Sequence, residues 1–81
     1  MLISMKSLSY RVLLKKEPEG CYSAIVPTLP GCATFGETID EAIEMAKEAI
    51  EAYVESLVAR GEEVPTEEET LEYTLTIQAN A

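Results

Sequence analysis

Histidine and tryptophan are absent from this chain, aspartate occurs once, cysteine twice and phenylalanine once. Each scarcity removes a class of chemistry. Without histidine there is no Ser-His-Asp or Cys-His relay. Cys21 and Cys32 cannot supply the four soft or imidazole ligands of a structural zinc site. Two cysteines do not make a disulfide framework either, and they read as reduced thiols. No apolar run reaches the ~20 residues needed to span a bilayer. The N-terminal stretch Met1 to Lys6 is too short for the apolar core of a signal peptide. These absences predict a cytoplasmic protein with no cofactor and no metal. Basic residues are also scarce, six against fifteen acids, for a net charge of −9. Phosphate-dominated binding needs cation clusters, so nucleic acid is not an expected partner of this chain by itself.

The charge is unevenly placed. Residues 1–36 carry Lys6, Arg11, Lys15 and Lys16 against Glu17 and Glu19, a net of +2. Residues 37–81 carry thirteen acids against Lys47 and Arg60, a net of −11. Such a half repels phosphates and attracts basic surfaces, or simply forms a solvated helix face. Glu67-Glu68-Glu69 lacks the alternating oxygen ligands and glycine turn of a calcium loop.

Eighty-one residues make one domain, 1–81, with residues 1–7 read as an N-terminal extension. Residues 8–15 alternate, placing Leu8, Tyr10, Val12 and Leu14 on one face. Residues 21–26 and 32–35 read as two further strands, joined by turns at Pro18 to Gly20 and Pro30-Gly31. Thr38 with Glu41 three residues on is a capping box. It opens a helix over 38–60, expected to pack through Ile39, Ile43, Ala46, Ile50, Tyr53 and Leu57 and to close at Arg60-Gly61. After a polar loop at 62–69, residues 71–78 alternate again: Leu71, Tyr73, Leu75 and Ile77 on one face, Glu72, Thr74, Thr76 and Gln78 on the other. The expected fold is α+β, in the order βββαβ: a mainly antiparallel four-stranded sheet with one helix on one face. Tyr10, Tyr22, Phe35, Tyr53 and Tyr73 could form a stacking platform, but the four tyrosines fall on apolar faces, and core packing is the expected role of the set. The uncovered sheet face holds Arg11, Leu13, Cys21, Ser23, Ile25 and the Thr74/Thr76 row. Leu13 and Ile25 should be neighbours there, a candidate oligomer face. Exposed on the helix, Glu44, Glu48, Glu51 and Glu55 form a candidate partner-facing acidic surface. Cys32, close to the helix N-terminus, reads either as a lone nucleophile or as a plain small strand residue, and the plain reading is preferred.

One combination of motifs is more specific than any of its parts. A tyrosine-containing strand is followed by Pro27, Leu29, Pro30, Gly31 and Cys32, then by Gly36, Thr38, Glu41 and Ala42 opening an amphipathic helix. This pattern, over roughly residues 8–64, resembles the HicB-like antitoxin family. The resemblance implies a truncated RNase H-like domain that binds a partner. It also implies a small basic HicA-like ribonuclease toxin, neutralised by covering its RNA-binding surface. A nuclease of the RNase H type holds metal through clustered carboxylates, one on its first strand. Residues 8–15 contain no acid, so the fold brings no nuclease site and no enzyme is expected. Longer family members add a C-terminal DNA-binding module, and no basic helix follows residues 71–78 here. The alternative is an orphan oligomeric interaction domain, a dimer or tetramer, with no toxin.

Overall fold

The structure is a computed structural model that describes residues 7–80. The extension expected at 1–7 lies outside the described residues except for Ser7. Three antiparallel strands, β1 (Leu13–Lys16), β2 (Tyr22–Ile25) and β3 (Ala33–Gly36), form a sheet in the order β1-β2-β3. One helix, α1 (Ile39–Ala59), packs on one face. The ladders are shorter than the alternating runs in the sequence, and residues 8–12 precede β1 outside the ladder.

Local chemistry sets the turns. Glu17 donates its backbone N–H to the Cys21 carbonyl at 2.8 Å, and Gly20 donates to Glu17 at 2.9 Å with φ of 99°. That is a left-handed conformation which glycine adopts without strain. Between β2 and β3, Leu29 donates to Val26 and Cys32 donates to Leu29, folding Pro27 to Gly31 into a compact loop. Leu29 is thereby driven into the core, fully buried beside Val26 and Cys32.

The helix begins where the capping residues place it. The Thr38 hydroxyl accepts the Glu41 N–H at 3.0 Å, satisfying one orphan donor. The Glu41 carboxylate accepts the N–H of Glu37 at 2.7 Å rather than that of Thr38, a capping box displaced by one residue. At the other end the N–H of Gly61, with φ of 69°, donates to Val58 and that of Glu62 to Leu57, which satisfies two of the last carbonyls. Helix and sheet approach closely because the contact is built from small side chains. Ala24, Ala42 and Ala46 are buried together, with Val12 and Tyr22 against them. A second cluster of Val26, Leu29 and Cys32 packs with Tyr10, Ala49, Ile50 and Tyr53.

Four expectations are corrected. Residues 71–80 contribute no strand to the sheet: Leu71 is 94% exposed, Tyr73 85%, and Leu75 and Ile77 80% each. Tyr73 is therefore not a core residue, and the Thr74/Thr76 row is not on the sheet face. Ile39 and Ile43, expected in the core, are nearly half exposed. The apolar stripe of α1 is wider than the three-stranded sheet, so Ile39 and Ile43 lie on its uncovered margin. The radius of gyration is 15.9 Å. A compact chain of this length would have about 12 Å, and the excess is in keeping with the projecting C-terminal segment.

Candidate interaction surfaces

The motif residues around the β2–β3 loop are mostly structural supports. Leu29, Cys32, Gly36 and Ala42 are buried, while Pro27, Pro30, Gly31, Thr38 and Glu41 are exposed around them. Tyr53 donates its hydroxyl to the Pro30 carbonyl at 2.8 Å, tying the loop to the helix. Gly36 lies directly under the first helical turn. A Cβ there would overlap the backbone nitrogen of Ala42 and stand 2.8 Å from its Cα and 2.9 Å from the Glu41 carbonyl carbon. The reason for glycine is close approach, not a positive φ. Both cysteines are free thiols. Burial pushes the Cys32 thiol above its ordinary pKa, the opposite of what an activated nucleophile needs. Among the described residues no group of three or more His, Cys, Asp or Glu side chains is placed to hold a metal ion. Among them, too, no helix is long and apolar enough to cross a membrane.

Glu44, Glu48, Glu51 and Glu55 are all exposed along α1, with Glu51 and Glu55 reaching the rim of the depressions between the helix and the segment before β1. The periodicity brings them together at three- and four-residue spacing. On the uncovered sheet face Leu13 stands opposite Ile25, which stands opposite Ala33. Leu13 and Ile25 are each 48% exposed. Phe35 joins this patch at 64% exposure, two residues along β3 from Ala33 and on the same face. Sequence reasoning missed Phe35 as a surface residue. The parity of β3 relative to β2 is the signal, and only the register supplies it. Ser23, expected on the same open face, is buried: its hydroxyl donates to the Glu17 carboxylate at 2.9 Å.

The acidic loop after the helix is docked onto the sheet. The Glu67 carboxylate accepts the Arg11 backbone N–H at 2.7 Å and the Thr28 hydroxyl at 2.7 Å, beyond the point where Pro27 interrupts pairing. These bonds, the Arg11 N–H first, hold the Glu67 carboxyl below its ordinary pKa. Tyr10 donates its hydroxyl to the Pro65 carbonyl at 2.6 Å. Burial, and secondarily the Glu67 charge, raise the Tyr10 pKa. Arg11 also reaches Glu72 at 3.8 Å. Patterning gives no sign of Glu67 as an anchor, because it stands in a run of three identical residues.

On the other side of β1, Leu8, Tyr10 and Val12 face Ile43, Ile50 and Val54 of α1 across two contiguous depressions of about 320 and 360 Å³. Lys47, Glu51 and Glu55 rim them. This groove lies between the helix and the chain that leads into β1, the edge strand of the sheet.

The arrangement is similar to known proteins over most of its length. A family model described as the HicB-like antitoxin of bacterial toxin-antitoxin systems matches residues 10–80. A UPF0150 protein of Synechocystis sp. is 46% identical over 69 residues, covering 84% of this chain and 87% of the relative. A UPF0150 protein of Thermoplasma acidophilum is 47% identical over 58 residues, covering 72% and 84%. Among solved structures, the N-terminal domain of the Burkholderia pseudomallei antitoxin HicB superposes with a TM-score of 0.62 at 36% identity, covering 82% of this chain and 69% of that one.

Proposed function

The chain belongs to the family of HicB-like antitoxins of bacterial toxin-antitoxin systems, and from that premise we propose that it neutralises a small basic HicA-like ribonuclease by covering its RNA-binding surface. The action is occlusion, with no catalytic step. The observation that carries the reading is the exposed row Glu44, Glu48, Glu51 and Glu55 on a chain whose residues 37–81 have a net charge of −11. An RNA-binding surface is cationic, and an acidic helix face mimics the charge of the nucleic acid it displaces. Electrostatic steering would bring the two together quickly.

The test is to titrate the purified chain into a ribonuclease assay of a HicA-like toxin encoded beside it. Stoichiometric inhibition, with a complex that co-elutes, is the expected outcome. No complex at tens of micromolar, or RNA cleavage by the purified chain itself, overturns the reading. A second reading, an oligomeric interaction domain with no toxin, is favoured by the exposed apolar patch of Leu13, Ile25 and Phe35. Such a domain would self-associate but leave every neighbouring toxin active.

A further inference from the structure

We propose that the free edge of β3 takes an added strand from the basic partner, with alternate side chains of that strand seated in the groove between β3 and the C-terminal half of α1. The inference rests on the occlusion reading above and names where and how the partner docks.

The backbone supplies the template. Among the described residues β3 is paired on one side only, with β2. Val26 donates its N–H to the Cys32 carbonyl at 3.0 Å, which fixes the phase of that ladder. Thr34 and Gly36, opposite Ala24 and Tyr22, therefore turn their peptide groups inward to β2. Ala33 and Phe35 alternate with them and turn their N–H and C=O groups outward. Such a row of outward donors and acceptors is what strand addition pairs with.

Side chains of an added strand would alternate between two faces, and both faces offer cover. On the helix side lies a depression of about 470 Å³ lined by Gly31, Ala33, Ala49, Ala52, Tyr53 and Ser56. Most of these side chains are small, which leaves room for a large one from outside. The bond from Tyr53 to the Pro30 carbonyl holds its wall in place. On the open sheet side Phe35 is 64% exposed. A further strand alongside β3 would cover it. The chain's own arm, residues 71–80, leaves this edge bare. Glu67 ties the chain ahead of it to Arg11 and Thr28, and its apolar side chains are almost fully solvated.

Charge selects the occupant. Glu37 follows β3 directly, Glu41 lies in the first turn of α1, and Glu48 stands one turn before Ala52. All three are exposed. Arg60, the cation among the lining residues, is paired with Glu62 at 2.6 Å. The edge is thus bordered by acid and suits a strand flanked by lysine or arginine. Pairing β3 with the β3 of a second copy would instead lay two such acidic rims side by side, which like-charge repulsion opposes.

The experiment measures binding of the full chain to the HicA-like toxin encoded beside it, with amide exchange on the free chain and the complex. Ala33→Pro removes an outward donor at the first position of an edge strand and spares the ladder with β2. Ala52→Glu places a carboxylate in the groove at an exposed helix position. Charge attraction alone would make that variant bind more tightly, whereas a filled groove makes it bind more weakly. Val58→Glu adds the same charge outside the groove, at a position 63% exposed. Helical circular dichroism checks that each variant is folded. Ala33→Pro and Ala52→Glu should each bind about tenfold more weakly, the scale of one lost hydrogen bond or one unpaired buried charge. Val58→Glu should bind as the parent does or more tightly. The Ala33 and Phe35 amides should gain protection in the complex, while those of Thr34 and Gly36 are protected throughout. A toxin that is inhibited by the parent and equally by Ala33→Pro and Ala52→Glu overturns the docking mode and leaves occlusion standing. So does a complex in which the Ala33 and Phe35 amides still exchange freely. A toxin that neither binds nor loses activity overturns both. Protection of those two amides in the chain alone, rising with its concentration, would assign the edge to a second copy and also overturn the proposal.

Discussion

Gly36 and Glu67 show how single residues hold this fold. Gly36 permits the first turn of α1 to rest on the end of β3, with backbone on backbone. Gly36→Ala forces those elements apart and should cost about 2 kcal/mol, in the range of overpacking a tight contact. Urea unfolding measures it, and an unchanged midpoint would mean that the helix start can shift freely. Glu67 makes a different kind of contact, a carboxylate bonded to a backbone N–H and a hydroxyl. Its pKa is lower folded than unfolded, so the folded state binds fewer protons there. Its stabilising contribution is present above the unfolded carboxylate value of ~4.3 and is lost as pH falls through the lower folded value. Stability should therefore drop on acidification below that range. Glu67→Gln should be less stable at neutral pH and lose part of that acid dependence, as thermal melts across a pH series would reveal.

At the scale of elements, α1 is closed at its two ends by different means, a side-chain cap at the start and a glycine turn at the end. Thr38 caps it through a side-chain bond to the Glu41 N–H, with Asp40 and Glu41 in the first turn favouring the helix dipole. The last turn holds no basic residue, and Arg60 beyond it pairs with Glu62 at 2.6 Å. Thr38→Ala should destabilise the protein by ~1 kcal/mol, the usual cost of a lost N-cap. Thr38→Ser should recover most of it, because serine offers the same acceptor. Chemical denaturation of the two variants side by side gives the comparison. The helix was legible because capping, periodicity and a terminating glycine all agreed. The fourth strand was legible as a pattern, yet alternation reports only that a segment has one apolar face. It does not say which sheet will bury that face.

The whole molecule divides its charge from its apolar surface. Acid lies along the exposed surface of the helix, and exposed apolar groups lie on the sheet face, in the β1–α1 groove and along the arm. Reversing Glu44, Glu48 and Glu51 together to lysine should leave the fold intact, since all three are exposed. It should slow association with a basic partner about tenfold at low salt. That difference should vanish near 1 M salt, where the Debye length falls to ~3 Å. Stopped-flow association at several ionic strengths would decide it, and a rate insensitive to the triple reversal would move the partner's footprint off this face.

Local patterns alone were enough to determine the three-stranded meander, the capped helix and its acidic side, because each depends on neighbours a few residues apart. The same holds for the pairing of Leu13 with Ile25, which follows from the length of the 17–20 turn. Tertiary structure decided what depends on distant chain meeting in space. It placed Glu67 against Arg11 and Thr28, more than thirty residues away in sequence. It set Phe35 on the open face and Gly36 under Ala42. It also left Ile39, Ile43 and the arm uncovered, since the width of the sheet, and not the apolarity of a segment, determines what a single chain can bury.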